Sequence, residues 1–84
     1  MHVEFLGIPR ERAGVAEVEI EAATLGQLLR TLVIQFPALQ ELITMAGLHP
    51  SVAANLNGDA FVRDPETSLA AGDRLLLLSA DAGG

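Results

Sequence analysis

Arg74-Leu75-Leu76-Leu77-Leu78-Ser79 is the stretch that decides the fold. It holds four consecutive leucines behind an Ala71-Gly72-Asp73 turn. A short apolar run with no alternation reads as a strand buried on both faces, and so as the middle of a sheet. Upstream, Val52–Leu56 and residues 60–63 flank Asn57-Gly58-Asp59. An Asn-Gly pair between apolar runs is a strong hairpin signal, so these two segments read as paired strands. Asp64-Pro65 marks a further turn before the leucine run. Downstream, Ala80-Asp81-Ala82-Gly83-Gly84 has little to pack and reads as a tail.

The first half supplies the other elements. Residues 2–6 read as a strand with Val3 and Phe5 on one face. Residues 7–14, GIPRERAG, read as a connecting loop because they carry two glycines and a proline. In residues 15–21 the alternation is clean: Glu17, Glu19 and Glu21 face water while Val18 and Ile20 face inward. Residues 24–36 switch to a helical period, with Leu25, Leu28, Leu29, Leu32 and Phe36 on one stripe. Thr24 and Gln27 make a capping-box pattern at its start. Pro37 ends this helix and opens a second one over residues 38–46, with Gly47 as its C-cap. The order is β-β-α-(α)-β-β-β. It predicts an α+β fold of the β-grasp type, with first and last strands parallel at mid-sheet. A mixed sheet of four to five strands would pack on one main helix plus a short second helix. Residues 1–79 then form one domain and residues 80–84 a flexible tail ending in Gly-Gly.

Composition narrows the function. The chain has 84 residues, 50% of them hydrophobic, which suffices for one small core. It has no cysteine, so neither disulfides nor thiolate metal sites are available. The formal net charge is −6, which disfavours nucleic acid and anionic membranes and suits docking onto a basic partner surface. No signal peptide or membrane-length apolar segment is apparent, so a cytoplasmic protein is expected. All five basic side chains are arginine. That substitution can be compositional, or it can serve a function that an internal lysine amine would disturb.

Few residues read as a catalytic constellation. His2 and His49 are far apart in sequence and lack a ligand pattern, so no metal site is expected. Glu17 and Glu19 read as a solubilising strand edge rather than an acid/base pair. Leu56 and Phe61, flanking the hairpin turn, are candidates for a docking surface if one hairpin face lies outside the core. Arg10, Arg12 and Arg63 are candidate partner contacts or solvated charges.

Several segments together resemble the small sulfur carriers of the molybdopterin synthase small-subunit and thiamine carrier group, the MoaD/ThiS-like family with the ubiquitin fold. These are the loop with Arg10-Glu11-Arg12-Ala13-Gly14 and the capped helix start Thr24-Leu25-Gly26-Gln27-Leu28-Leu29. Val52-Ala53-Ala54-Asn55-Leu56-Asn57-Gly58 and Ser68-Leu69-Ala70-Ala71-Gly72-Asp73-Arg74-Leu75 follow, ahead of the terminal Gly83-Gly84. The resemblance implies that an E1-like activating enzyme adenylates Gly84 with ATP, the carrier itself binding no cofactor. It further implies conversion to a thiocarboxylate that passes sulfur to an acceptor enzyme such as the molybdopterin synthase large subunit. Carriers of the same family serving cysteine, thiamine thiazole or thiosugar synthesis, and ubiquitin-like modifiers, remain alternatives. Glycines suit this chemistry, because a tail without Cβ atoms lies extended in a narrow channel and leaves the carboxyl carbon open. Ser79, Ala80, Asp81, Ala82 and Gly83 would thread that channel. Here Ser79-Ala80-Asp81-Ala82 replaces the proline-containing stretch common in the family, which bears on which acceptor is served.

Overall fold

The computed structural model of the chain describes residues 1–44 and 47–80. Strand β1 (His2–Phe5) is followed by helix α1 (Ile8–Ala13), strand β2 (Glu17–Glu19) and helix α2 (Leu25–Gln35). A 3₁₀ turn (Pro37–Glu41) leads to a small hairpin of β3 (Ile43–Thr44) and β4 (Gly47–Leu48). Strands β5 (Val52–Leu56), β6 (Ala60–Phe61) and β7 (Arg74–Ser79) complete the order.

The leucine run does take the middle of the sheet. The strand order is β2-β1-β7-β5-β6, with β7 parallel to β1 and antiparallel to β5. Register sets Val3 beside Leu75 and Phe5 beside Leu77. On the other flank Ala54 faces Leu77 and Leu56 faces Leu75. Val3, Phe5, Leu75, Leu77, Val52 and Ala54 therefore form one inner row, none more than 1% exposed. Leu25, Leu28, Leu29 and Leu32 of α2 pack down onto it. Each such leucine contributes roughly 1.5–3 kcal/mol by leaving water. Phe36 meets Phe5 edge-on with ring centroids 5.9 Å apart.

The Thr24 half of the α2 capping box forms as read, while Gln27 reaches one residue further back than the N-cap. Thr24 Oγ1 accepts from the Gln27 N–H at 3.2 Å, and Gln27 Oε1 accepts from the Ala23 N–H at 2.9 Å. At the β5–β6 turn Asn57 and Gly58 both take positive φ, at 58° and 69°. That is the geometry an Asn-Gly hairpin turn requires.

Four readings need correction. Residues 7–14 are not a loop, since α1 occupies most of them. Pro9 fits its first turn, and Gly14 closes it in the left-handed region at φ 78°, donating to the Arg10 carbonyl. Residues 38–46 are not a second α-helix. The chain makes the 3₁₀ turn and then the β3–β4 hairpin; Gly47 lies in β4 rather than capping a helix, and Ala46 lies outside the described residues. Leu39, Leu42 and Ile43 are buried as their spacing suggests, but from a different backbone. β2 and β6 are shorter than the alternation implied. Finally, β7 is central without being buried on both faces: Leu75 and Leu77 are covered, whereas Leu76 and Leu78 are half-buried. Among the described residues, the inner face packs into the core under α2 while the outer face of β7 stays partly open.

Candidate functional site

The end of β7 is where the tail leaves the domain, and two neighbours hold it. Ser79 Oγ accepts from the Ile8 N–H at 2.9 Å, so the first turn of α1 grips the last residue of β7. Gly7 permits this approach, because a Cβ on it would collide with Ser79 Oγ. On the opposite flank the Ala80 N–H donates to the Ser51 carbonyl at 2.7 Å. Ala80, read from the sequence as the first residue of an unpacked tail, thus extends the β5–β7 ladder by one bond. Asp81, Ala82, Gly83 and Gly84 lie outside the described residues. Fully extended, the four residues beyond Ala80 span at most about 14 Å.

The outer face of the sheet adjoins this root. Leu76 and Phe61 both stand opposite Asn55, so all three share the outer face. Phe61 is 69% exposed and Leu6 47%. Leu78 and Ala53 continue the apolar surface across β7 and β5. Toward β2 the face turns acidic. His2 Nδ1 lies 2.8 Å from Glu19, and its Nε2 lies 3.6 Å from Glu4 and 3.8 Å from Glu17. The hydrogen bond with His2 holds the Glu19 carboxyl below its ordinary range. Arg74 reaches Glu4 at 3.1 Å. Glu17 and Glu19 sit on an edge strand, where charge blunts further pairing.

The candidate docking residues separate. Phe61 faces out, but Leu56 shares the inner face with Leu75 and packs against the core. Arg63 is tied into the fold: its guanidinium donates to the carbonyls of Val52 (2.9 Å), Leu48 (2.6 Å) and His49 (3.4 Å). Arg12 pairs with Glu41 across to the 3₁₀ turn. Arg10 is exposed and has no ion pair among the described residues. Leu76, Leu78 and Leu6 were missed as surface residues. The available signal was the fold itself, which offers one helical layer for a strand that is apolar on both faces.

The described residues contain no cluster of metal-ligating side chains, and none of their helices is long and apolar enough to cross a membrane. An apolar groove of about 390 Å³ lies between α2 and the β3–β4 hairpin, lined by Leu29, Arg30, Val33 and Ile43 among others. It shares no residue with the tail root or the outer face and offers no reactive group.

The sequence profile of the ThiS family matches residues 3–84, from β1 through the diglycine. The chain belongs to the ThiS family. Among solved structures, SAMP1 from Haloferax volcanii is 28% identical with a TM-score of 0.81, over 99% of this chain and 97% of that one. A chain of the BexX/CysO complex from Amycolatopsis orientalis is 26% identical with a TM-score of 0.81, over 99% and 98%. The complex of subunits 1 and 2 of the molybdopterin-converting factor from Helicobacter pylori contributes a third likeness. It is 26% identical with a TM-score of 0.67, over 99% and 96%. No curated protein sequence gives a significant match. The ThiS-family chain therefore has the ubiquitin-like β-grasp of the sulfur carriers and modifiers, and two of these neighbours are seen with a partner protein.

Proposed function

We propose that this ThiS-family chain carries sulfur as a thiocarboxylate on Gly84. An activating enzyme would transfer AMP from ATP to the terminal carboxylate, releasing pyrophosphate. A sulfur nucleophile would then attack the acyl carbon and expel AMP, leaving sulfur in place of one oxygen. The reading rests on the tail root: the end of β7 is clamped from both sides at Ser79 and Ala80, with only Asp81 and Ala82 between the clamp and the diglycine. A rigid domain with a short reach delivers a carboxylate into a partner's site without itself supplying acid, base or metal. The outer face, apolar along β7 and acidic along β1 and β2, suits a partner surface that is apolar with a basic margin.

For the acceptor, the likeness to the converting-factor complex supports the small subunit of a molybdopterin synthase, whose large subunit builds a dithiolene on a pterin precursor. A second acceptor reading, a carrier for another sulfur acceptor or a modifier, is supported by the likenesses to SAMP1 and to a chain of the BexX/CysO complex. Absence of lysine bars lysine-linked chains of this protein while leaving single conjugation open.

The test is intact mass after incubation with ATP, the activating enzyme from the same source and a sulfide donor. Exchange of one oxygen for sulfur, absent when Gly84 is deleted, is the expected result. An unchanged mass with an enzyme competent on another carrier overturns the proposal.

A further inference from the structure

Asn57-Gly58 turns the chain between β5 and β6, and the same pair sets an electrophile beside a nucleophile. The amide carbon of the Asn57 side chain and the Gly58 backbone nitrogen are the two ends of a five-membered ring. Glycine has no Cβ to crowd that nitrogen. Both residues are exposed, and a Cβ placed on Gly58 would meet nothing within 4 Å, so water and hydroxide reach the pair. Asn55, the chain's other asparagine, lies inside β5 ahead of Leu56, whose side chain shields the corresponding nitrogen.

The fold holds this ring open in two ways. Asn57 lies in the left-handed region at φ 58°, where ψ is about +47°. There the Gly58 nitrogen points away from Cβ across the Cα–C bond, whereas ring closure needs the two nearly eclipsed. The side chain is anchored as well. Its Nδ2 donates to Asp73 Oδ1 at 3.1 Å, and its Oδ1 accepts from the Arg74 N–H at 2.9 Å. The Asn57 N–H adds a bond to the Arg74 carbonyl at 2.7 Å. Ring closure therefore breaks both side-chain bonds and rotates the backbone out of the turn.

We propose that Asn57 is a modification site, losing ammonia by ring closure onto Gly58 when the turn opens, and that the anchor on Asp73 limits how often it opens. In the open turn the Gly58 nitrogen gives its proton to hydroxide and attacks Asn57 Cγ. The new C–N bond forms, and Nδ2 takes a proton from water and leaves as ammonia. Water then opens the ring at one of its two carbonyls, leaving aspartate or isoaspartate; nothing is oxidised or reduced. Neither product restores the anchor. A carboxylate cannot donate to Asp73 and sets a second anion beside it. Isoaspartate also puts an extra carbon into the main chain of the turn. Either change loosens the hairpin that carries Phe61 on the outer face.

The experiment follows the full chain at mildly alkaline pH by intact mass, reading exchange of NH for O and locating it at Asn57 by fragmentation. A peptide of residues 54–60 serves as the unstructured reference. The folded chain should react roughly tenfold to fiftyfold more slowly than the peptide, as expected for an opening that costs two hydrogen bonds. Asp73→Ala removes one anchor and should speed the folded chain roughly fivefold. Ser79→Ala gives up a bond of similar worth at the other end of β7 and should keep the native rate, which separates local opening from global unfolding. A folded chain that keeps pace with the peptide, or that stays intact over about a hundred peptide half-lives, overturns the proposal. So does an Asp73→Ala rate equal to the native rate or matched by Ser79→Ala. No activating enzyme or sulfur donor is present, so the outcome is independent of the carrier reading.

Discussion

Replacing Gly7 by alanine tests how tightly the domain holds the end of β7. Gly7 has φ 66° and ψ −135°, a region closed to residues with a Cβ. Forcing alanine there costs about 1–3 kcal/mol. The new Cβ also lies 3.2 Å from Ser79 Cβ and would overlap Ser79 Oγ outright. The hydroxyl can escape by rotating about χ1, but it then abandons the Ile8 N–H, which costs about 1 kcal/mol more. Gly7→Ala should therefore lose about 2–4 kcal/mol. A domain of 84 residues has roughly 4–13 kcal/mol to lose, so the change reads as a lowered unfolding midpoint. Ser79→Ala alone should cost about 1 kcal/mol for the same lost bond. In the double variant that bond can be lost only once, so its cost should fall about 1 kcal/mol short of the sum. The assay is urea unfolding followed by far-UV circular dichroism, since the chain has neither tryptophan nor tyrosine. Additivity within about 0.3–0.5 kcal/mol would refute the reasoning and show that α1 does not grip Ser79.

Asn57 both occupies a left-handed turn and bridges to Asp73 (3.1 Å) and the Arg74 N–H (2.9 Å). Asn57→Gly should cost about 1–2 kcal/mol for the bridges, and Asn57→Ala about 1 more for the backbone, both read from unfolding midpoints. On the outer face, Phe61→Ser should leave stability within about 0.5 kcal/mol yet weaken capture by the activating enzyme, whereas Leu77→Ala should cost about 2–5 kcal/mol. The Asp73 carboxyl is lowered by the Ala70 N–H and Asn57, and that of Glu19 chiefly by His2, from ordinary values of 3.8 and 4.5. A depressed carboxyl stabilises the fold above its unfolded value and ceases to as pH falls through the folded one. Acid unfolding should therefore steepen below about pH 4.5, and Asp73→Asn should flatten part of that limb in a pH titration of the unfolding midpoint.

Much of this architecture was legible because it rests on patterns with one physical solution. The leucine run is central as read, though not for burial on both faces, the Thr24–Gln27 pair starts a helix, and Asn57-Gly58 turns a hairpin. What misled was evidence that admits two backbones. Leu39, Leu42 and Ile43 are spaced for a helix face and are indeed buried, but periodicity reports which side chains go inside and not how the chain carries them there. Residues 7–14 concealed α1 because a six-residue helix has no room for a stripe. Its Pro9 and Gly14 were read as loop formers when they are its start and stop. On the outer face, the exposure of Phe61 was anticipated and that of Leu76 was not. Exposure of an apolar strand face depends on a missing second layer, and no local pattern records a missing layer.

The middle position of β7 has a consequence for how the protein comes into being. β1 is made first and β7 after every other strand, yet β7 supplies the neighbour that β1 and β5 both require. A growing chain therefore cannot assemble this sheet strand by strand; it waits with two unsatisfied edges until the final insertion joins them. The clamp that Ile8 and Ser51 place on the end of β7 can thus close only once β7 has joined the sheet.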